Sequence, residues 1–274
     1  MESGGHSVRC VVGGRRGAPK VVFVHGSPGS WRTFARFLED PSLKDRAFLI
    51  SVDRLGYGGS GAGRTEPSLA AQARAVSAVF DLDVASAPVI LVGHSYGGPV
   101  VVKAAALGDP RVRGVVIVAG AVDPDLEKKK WYQYLADLPA VRLFLPARLD
   151  VCNREIEALK GELTSMLVDW PKVTARVTVI QGLEDDRVPA ANADFIARKL
   201  ARLSPEIIRV PGLDHFVPQR RPDLIRAAIL ADLDALAARA PRRSGVQAGR
   251  QLRGRKHRQP ARAADAEIRS GAVR

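Results

Sequence analysis

Six short apolar runs recur along the chain: "KVVFVHG", "AFLISVD", "PVILVGHS", "GVVIVAG", "VTVIQG" and "EIIRVPG". Their apolar positions are continuous rather than alternating and rich in Val and Ile, the pattern of strands covered on both faces of a parallel sheet. Between them the spacing changes to that of helices, in "SLAAQARAVSAVF", "YGGPVVVKAAALG" and "ANADFIARKLARL". The final helical segment, "PDLIRAAILADLDALAAR", sets Leu224, Ile225, Ala228, Ile229, Leu233 and Leu236 on one stripe. Strand and helix in alternation predict an α/β architecture, a mostly parallel central sheet flanked by helices. The earlier segment "SVRCVV" is expected to pair with the first run as an antiparallel edge strand across "GGRRGAP".

Alternation stops between residues 122 and 172, where about 50 residues pass without a strand pattern, and long excursions of that kind are usually functional lids. Within it, "NREIEALKGELTSMLVDW" places Ile156, Leu159, Leu163, Met166, Leu167 and Trp170 at helical spacing, with Asn153 as the expected N-cap. This segment reads as a small helical cap. Its aromatic residues Trp131, Tyr132, Tyr134, Phe144 and Trp170 are expected mostly to pack the cap onto the sheet.

Composition changes the picture at the end of the chain. At 274 residues and 46% hydrophobic content the protein can bury one substantial core, which points to one main domain over residues 1–239. The formal charge is +13, and most of it lies in residues 240–274, where ten Arg or Lys face two acids. That tail has almost no large apolar residues and no helical stripe, so it reads as a disordered, solvated appendage. It also lacks the interleaved aromatic residues on which bases stack, which limits nucleic-acid binding to non-specific attraction through the basic tail. Two cysteines, Cys10 and Cys152, argue against a disulfide scaffold or a zinc site. The N-terminus "MESGGHSVRCVVGG" has no secretory pattern, and no run approaches the roughly 18 apolar residues of a membrane helix. The expectation is a soluble, cytoplasmic protein with no membrane insertion.

The polar residues at the ends of the strands carry the candidate chemistry, because in an open parallel sheet the carboxyl ends of the strands form the rim where ligands bind. In "VGHSYGG", Gly93, Ser95 and Gly97 have the spacing G-x-S-x-G, and small residues flanking a serine permit a sharp strand-to-helix turn that exposes it. A serine hydroxyl becomes a useful nucleophile only when a base takes its proton and a third group orients that base. Of the five histidines, His6 and His257 lie near the chain ends, His94 adjoins the serine and would point away from it, and His25 closes the first run. His215, in "VPGLDHFVP" after the last run, is the candidate base. The fifth run ends in "VIQGLEDDRVP", which offers Glu184, Asp185 and Asp186 as orienting acids, and Asp123 closes the neighbouring "VVIVAGAVD".

The order Ser95, Asp185, His215 is the order of nucleophile, acid and histidine in α/β hydrolases. Over about residues 8 to 238 the chain resembles that family, in "HGSPG", "DRLGYGGS", "GHSYGG", "GLEDDRVP" and "DHFVP", each placed after its strand. The resemblance implies a catalytic domain over residues 1–239 with the cap inserted at about 122–172. It favours Asp185 over Asp186 and Asp123 through the pattern G-x-x-D-x-x-V-P, and it implies an oxyanion hole made by the backbone N–H groups of Ser27 and Tyr96. The residue before the histidine, usually Gly in the family, is Asp214 here. "DRLGYGGS" is expected to shape a turn behind the site, and His25 to support the oxyanion loop. Relatives that act on haloalkanes or epoxides carry a carboxylate at the elbow, so Ser95 implies acyl chemistry on a small-molecule substrate, with no metal or organic cofactor required. A carboxylesterase is the first expectation, beside an amidase, a lactonase, a carbon–carbon bond hydrolase, or a non-catalytic ligand-binding protein of the same fold.

Overall fold

The computed structural model describes residues 2–3, 6–128, 141 and 144–239. Trp131, Tyr132, Tyr134 and the tail from Ala240 onward lie outside the described residues.

All six apolar runs form strands. With the earlier edge segment they make seven: β1 (Cys10–Gly14), β2 (Lys20–Val24), β3 (Phe48–Val52), β4 (Val89–His94), β5 (Val112–Val118), β6 (Arg176–Gly182) and β7 (Glu206–Val210). Their order in the sheet is β1-β3-β2-β4-β5-β6-β7, parallel throughout except for β1. Every residue of β2, β3 and β4 is buried, as the unbroken Val and Ile runs require of central strands.

The edge strand differs from expectation in its partner. β1 pairs antiparallel with β3, Val12 opposite Ile50, rather than with β2 across the short connection. Both edges of β2 are already occupied by β3 and β4, so β1 pairs instead with β3, the neighbour of β2.

Among the described residues five helices of two turns or more accompany the sheet: α1 (Leu69–Ser77), α2 (Gly97–Ala106), α3 (Ala147–Met166), α4 (Ala191–Lys199) and α5 (Pro222–Arg239). Side chains of α1, α2 and α4 join the core on one face, while α5 packs Ile225, Ala228, Ile229 and Leu233 into the core on the other. Ser68 caps α1 by accepting the Ala71 N–H at 3.3 Å. Among the described residues no helix is long and apolar enough to cross a membrane.

The cap helix α3 begins at Ala147, so Asn153 lies inside it instead of capping it. A cap preference is worth about 1 kcal/mol, and starting earlier lets Val151 join the buried positions of Leu159, Leu163 and Met166 on the same helix. Trp170, after α3, is buried as expected, whereas Phe144 is 84% exposed and packs nothing onto the sheet.

From β2 the chain moves to β3 on one side and then crosses back to β4 on the other. A reversal of strand order of this kind opens a crevice at the carboxyl ends of the two strands. Val24 is registered against Gly93, so the turn after β2, starting at His25, lies beside the turn after β4 that carries Ser95.

Candidate active site

Ser95 connects β4 to α2 with φ 55°, in the left-handed region that L residues occupy at a cost. Its N–H donates to Val118 O at 2.9 Å and its carbonyl accepts the Gly98 N–H at 2.8 Å, which pins the turn on both sides. The flanking glycines are required by close approach. A Cβ on Gly93 would lie 2.3 Å from Gly97 O, and one on Gly97 would lie 2.2 Å from Val24 O. The N-terminal turn of α2 follows at once, placing the positive end of its backbone dipole at the serine.

His215 hangs from the loop after β7, and its Nδ1 lies 2.8 Å from Asp185 Oδ2. Asp185 sits in the loop after β6, where Oδ1 accepts the backbone N–H groups of Arg187 at 2.9 Å and Val188 at 2.8 Å. Burial pushes the Asp185 carboxyl upward, but the bonds from His215, Val188 and Arg187 outweigh it and hold the group below the usual carboxylate range. The carboxylate therefore accepts Nδ1–H, which leaves Nε2 as the basic nitrogen of the ring.

The neighbouring acids are placed otherwise. Asp186 is exposed at the rim of the cavity, and Asp123 accepts the Asp125 N–H at 3.0 Å while its own N–H donates to Asn192. Asp214 points outward, accepting the Phe216 N–H at 3.1 Å and pairing with Arg220 at 2.9 Å. The close approach in this region is made by Gly182 instead, where a Cβ would lie 2.1 Å from Leu213 O.

Ser95, His215, Ser27 and Tyr96 line one cavity of about 350 Å³. Among the described residues neither the Ser27 N–H nor the Tyr96 N–H donates to another protein group. Ile156 and Leu159 of α3 and Val188 and Pro189 after β6 supply apolar wall, while Lys128 and Arg187 bring cations to it. The Arg187 guanidinium lies 5.1 Å from the centre of the Phe216 ring. Asp186 and Glu127 also line the cavity, and each is engaged by another group.

Two residues that sequence reasoning set aside belong to the support of this site. His94 Nε2 donates to the carbonyl of His215, with the rings 4.8 Å apart. Arg54, in "DRLGYGGS", is buried against Glu155 of α3, Nη1 to Oε1 at 2.6 Å, with neither side chain exposed. The rest of that motif does shape a turn: Asp53 accepts the N–H groups of Trp31 and Gly59, each at 2.9 Å, and Ser60 Oγ donates to Asp53 O at 2.7 Å. A legible sign of the Arg54 partner exists in the sequence, since Glu155 interrupts the i, i+4 series Val151, Leu159 and Leu163 with a charge. Nothing comparable marks His94.

This fold and arrangement place the chain in a known class: residues 21–228 match the Alpha/beta hydrolase family, and the protein belongs to it. Among curated relatives it is similar to a 2-(acetamidomethylene)succinate hydrolase of Mesorhizobium japonicum, 27% identical over 250 residues that cover 79% of this chain and 88% of the relative. Solved structures with the same fold include a monoacylglycerol lipase of Paleococcus ferrophilus, with a TM-score of 0.66 at 17% identity over 83% of this chain and 99% of the other. An enol-lactonase of Burkholderia xenovorans has a TM-score of 0.62 at 17% identity, covering 85% and 98%.

Proposed function

We propose that the protein is a serine hydrolase that cleaves a small carboxylic ester or related acyl compound through an acyl-enzyme. Ser95 Oγ adds to the substrate carbonyl while His215 Nε2 takes its proton, and Asp185 stabilises the imidazolium and holds the ring. The carbonyl electron pair moves onto oxygen, where the N–H groups of Ser27 and Tyr96 receive it. As the tetrahedral intermediate collapses, the bond to the leaving group breaks and His215 returns the proton to it. Water then attacks the acyl-enzyme by the same route in reverse, releasing the acid and Ser95.

The observation that carries this reading is the 2.8 Å contact of His215 Nδ1 with Asp185 Oδ2 beside a cavity shared with Ser95. Membership of the Alpha/beta hydrolase family supports the hydrolytic class. The free thiols Cys10 and Cys152 suit a reducing, cytoplasmic setting, and residues 1–239 serve in this reading as the catalytic domain. Turnover of a panel of aryl and alkyl esters by the wild type and by Ser95→Ala tests it: activity present in the first and absent from the second is the expected result.

A narrower reading is favoured by the cations in the cavity. Among the described residues neither Arg187 nor Lys128 is ion-paired, and a planar guanidinium at the mouth suits a substrate carboxylate. The similarity to a hydrolase named for a succinate derivative points the same way. The substrate class is then an acyl compound that carries a free carboxylate, whether ester, amide or lactone at the bond that breaks.

A further inference from the structure

The turn after β2 is held by charge at two successive carbonyls. The Gly26–Ser27 peptide is trans, so its C=O and its N–H point in opposite directions. His25 Nδ1–H donates to Gly26 O at 2.7 Å, and Arg54 Nη2 donates to the same oxygen at 3.1 Å. Arg54 Nε donates to the preceding carbonyl, His25 O, at 2.9 Å, so one guanidinium grips two successive carbonyls. His25 Nε2 accepts the Arg54 N–H at 3.0 Å, which fixes the tautomer that leaves Nδ1 as donor. A Cβ on Gly26 would lie 2.8 Å from Ser95 Cβ, so the loop lies directly against the serine.

The guanidinium is held in turn from the cap. Arg54 Nη1 and Nη2 donate to the two oxygens of Glu155 at 2.6 and 3.0 Å. Glu155 Oε2 also accepts Ser27 Oγ–H at 2.6 Å and Tyr57 O–H at 2.7 Å. Ile156, the next residue of α3, lines the cavity. A buried ion pair is an expensive way to stabilise a fold, since apolar residues of similar volume often serve as well. Its value lies in direction, and a cation on a peptide carbonyl also polarises the N–H at the other end of that peptide.

We propose that Arg54, held by Glu155 of the cap helix, is a positioning residue for the oxyanion hole: it fixes and polarises the Gly26–Ser27 peptide so that the Ser27 N–H faces the oxygen on which charge develops. The proposal rests on the acyl-transfer reading of Ser95.

The test uses the full chain, Arg54→Lys, which keeps the charge and loses the fork, and Arg54→Met with Glu155→Gln, which removes both charges and keeps an acceptor for Ser27 and Tyr57. Turnover of p-nitrophenyl acetate is measured alongside titration of a ¹³C-labelled aryl trifluoromethyl ketone. Ser95 Oγ adds to the ketone carbon, its proton passes to His215, and the C=O pair becomes an oxyanion whose pKa reports the strength of the hole. Expected are a fall in kcat of about 10- to 100-fold with KM changed by less than about threefold, and a rise in the oxyanion pKa of about one unit. A kcat within about twofold of wild type in either folded variant overturns the proposal, as does a loss of kcat with an unmoved oxyanion pKa, which would mark a merely structural role. Turnover that survives in Ser95→Ala overturns the acyl-transfer reading and this proposal together.

Discussion

His94 Nε2 lies 3.0 Å from the carbonyl oxygen of His215 and donates to it. The residue before the serine on the elbow thus holds the main chain of the loop that carries His215, across 121 positions of sequence. The bond requires a protonated Nε2, and the ring stays neutral because burial, with a smaller contribution from the His215 ring, pushes its pKa down to about 4.

That shift predicts an acid-sensitive fold. The ordinary value is 6.5, so the unfolded chain binds a proton on His94 that the folded chain refuses. Stability is complete above about pH 6.5 and falls as pH drops toward about 4, by up to about 1.4 kcal/mol per pH unit from this residue. His25, driven well below its ordinary value by burial and by Arg54, adds to the fall in the same direction. Urea unfolding from pH 7 to pH 4 should show this slope, and His94→Gln, which keeps a donor and cannot titrate, should flatten it.

Strain at the elbow predicts that Ser95 costs stability. Replacing it by Gly, which adopts φ 55° freely, should abolish turnover and stabilise the protein by about 1 kcal/mol, or roughly 2–4 °C in Tm. Ser95→Ala should lose turnover with Tm nearly unchanged, and calorimetry of the two variants separates the effects.

The flanking glycine has the opposite sensitivity. In Gly97→Ala the new Cβ would meet Val24 O at 2.2 Å, and rigid backbone on both sides cannot yield. A loss of about 3 kcal/mol is expected from such overpacking, read as a shift of the urea midpoint.

The three candidate acids should separate by kinetics. Asp185→Asn should lower kcat by about 10³- to 10⁴-fold by losing control of the His215 tautomer. Asp186→Asn and Asp123→Asn, at residues that do not bond the His215 ring, should leave kcat within about threefold. A larger loss in either would move the acid role away from Asp185.

Arg187 offers a test of substrate charge. In Arg187→Ala, KM for a carboxylate-bearing ester should rise about 10- to 100-fold, the worth of one charge-assisted contact. KM for its uncharged methyl ester counterpart should stay near the wild-type value. Equal effects on both substrates would exclude a carboxylate contact.

The fold was legible because strands covered on both faces must be apolar without interruption, and helices packed on one face must show a stripe. Which strand an edge segment joins depends on the order of the whole sheet, which no local pattern contains, so the partner of β1 was not legible. The start of α3 was misplaced because the preference of Asn153 for a cap is small beside the burial gained by Val151. The sharp turn at Ser95 was readable from the G-x-S-x-G spacing, although of its glycines only Gly93 answers to a local contact, with Gly97 O, while Gly97 lies against Val24 O of β2. The adjacent Asp185 and Asp186 are alike in composition, and only the loop that turns Asp185 Oδ1 onto the N–H groups of Arg187 and Val188 distinguishes them. Arg54 and His94 take their roles from partners 28 to 121 positions distant, and of those partners only Glu155 leaves a sign in the sequence, as a charge within the apolar series of α3.

The measurement that tests the central claim most directly is labelling with a fluorophosphonate, followed by mass spectrometry of the modified peptide, for the wild type, Ser95→Ala and His215→Ala. Phosphonylation of wild type at Ser95, with none in either folded variant, is the predicted result. Undiminished labelling of Ser95→Ala, or a folded wild type that takes no label, would contradict an activated serine at this elbow.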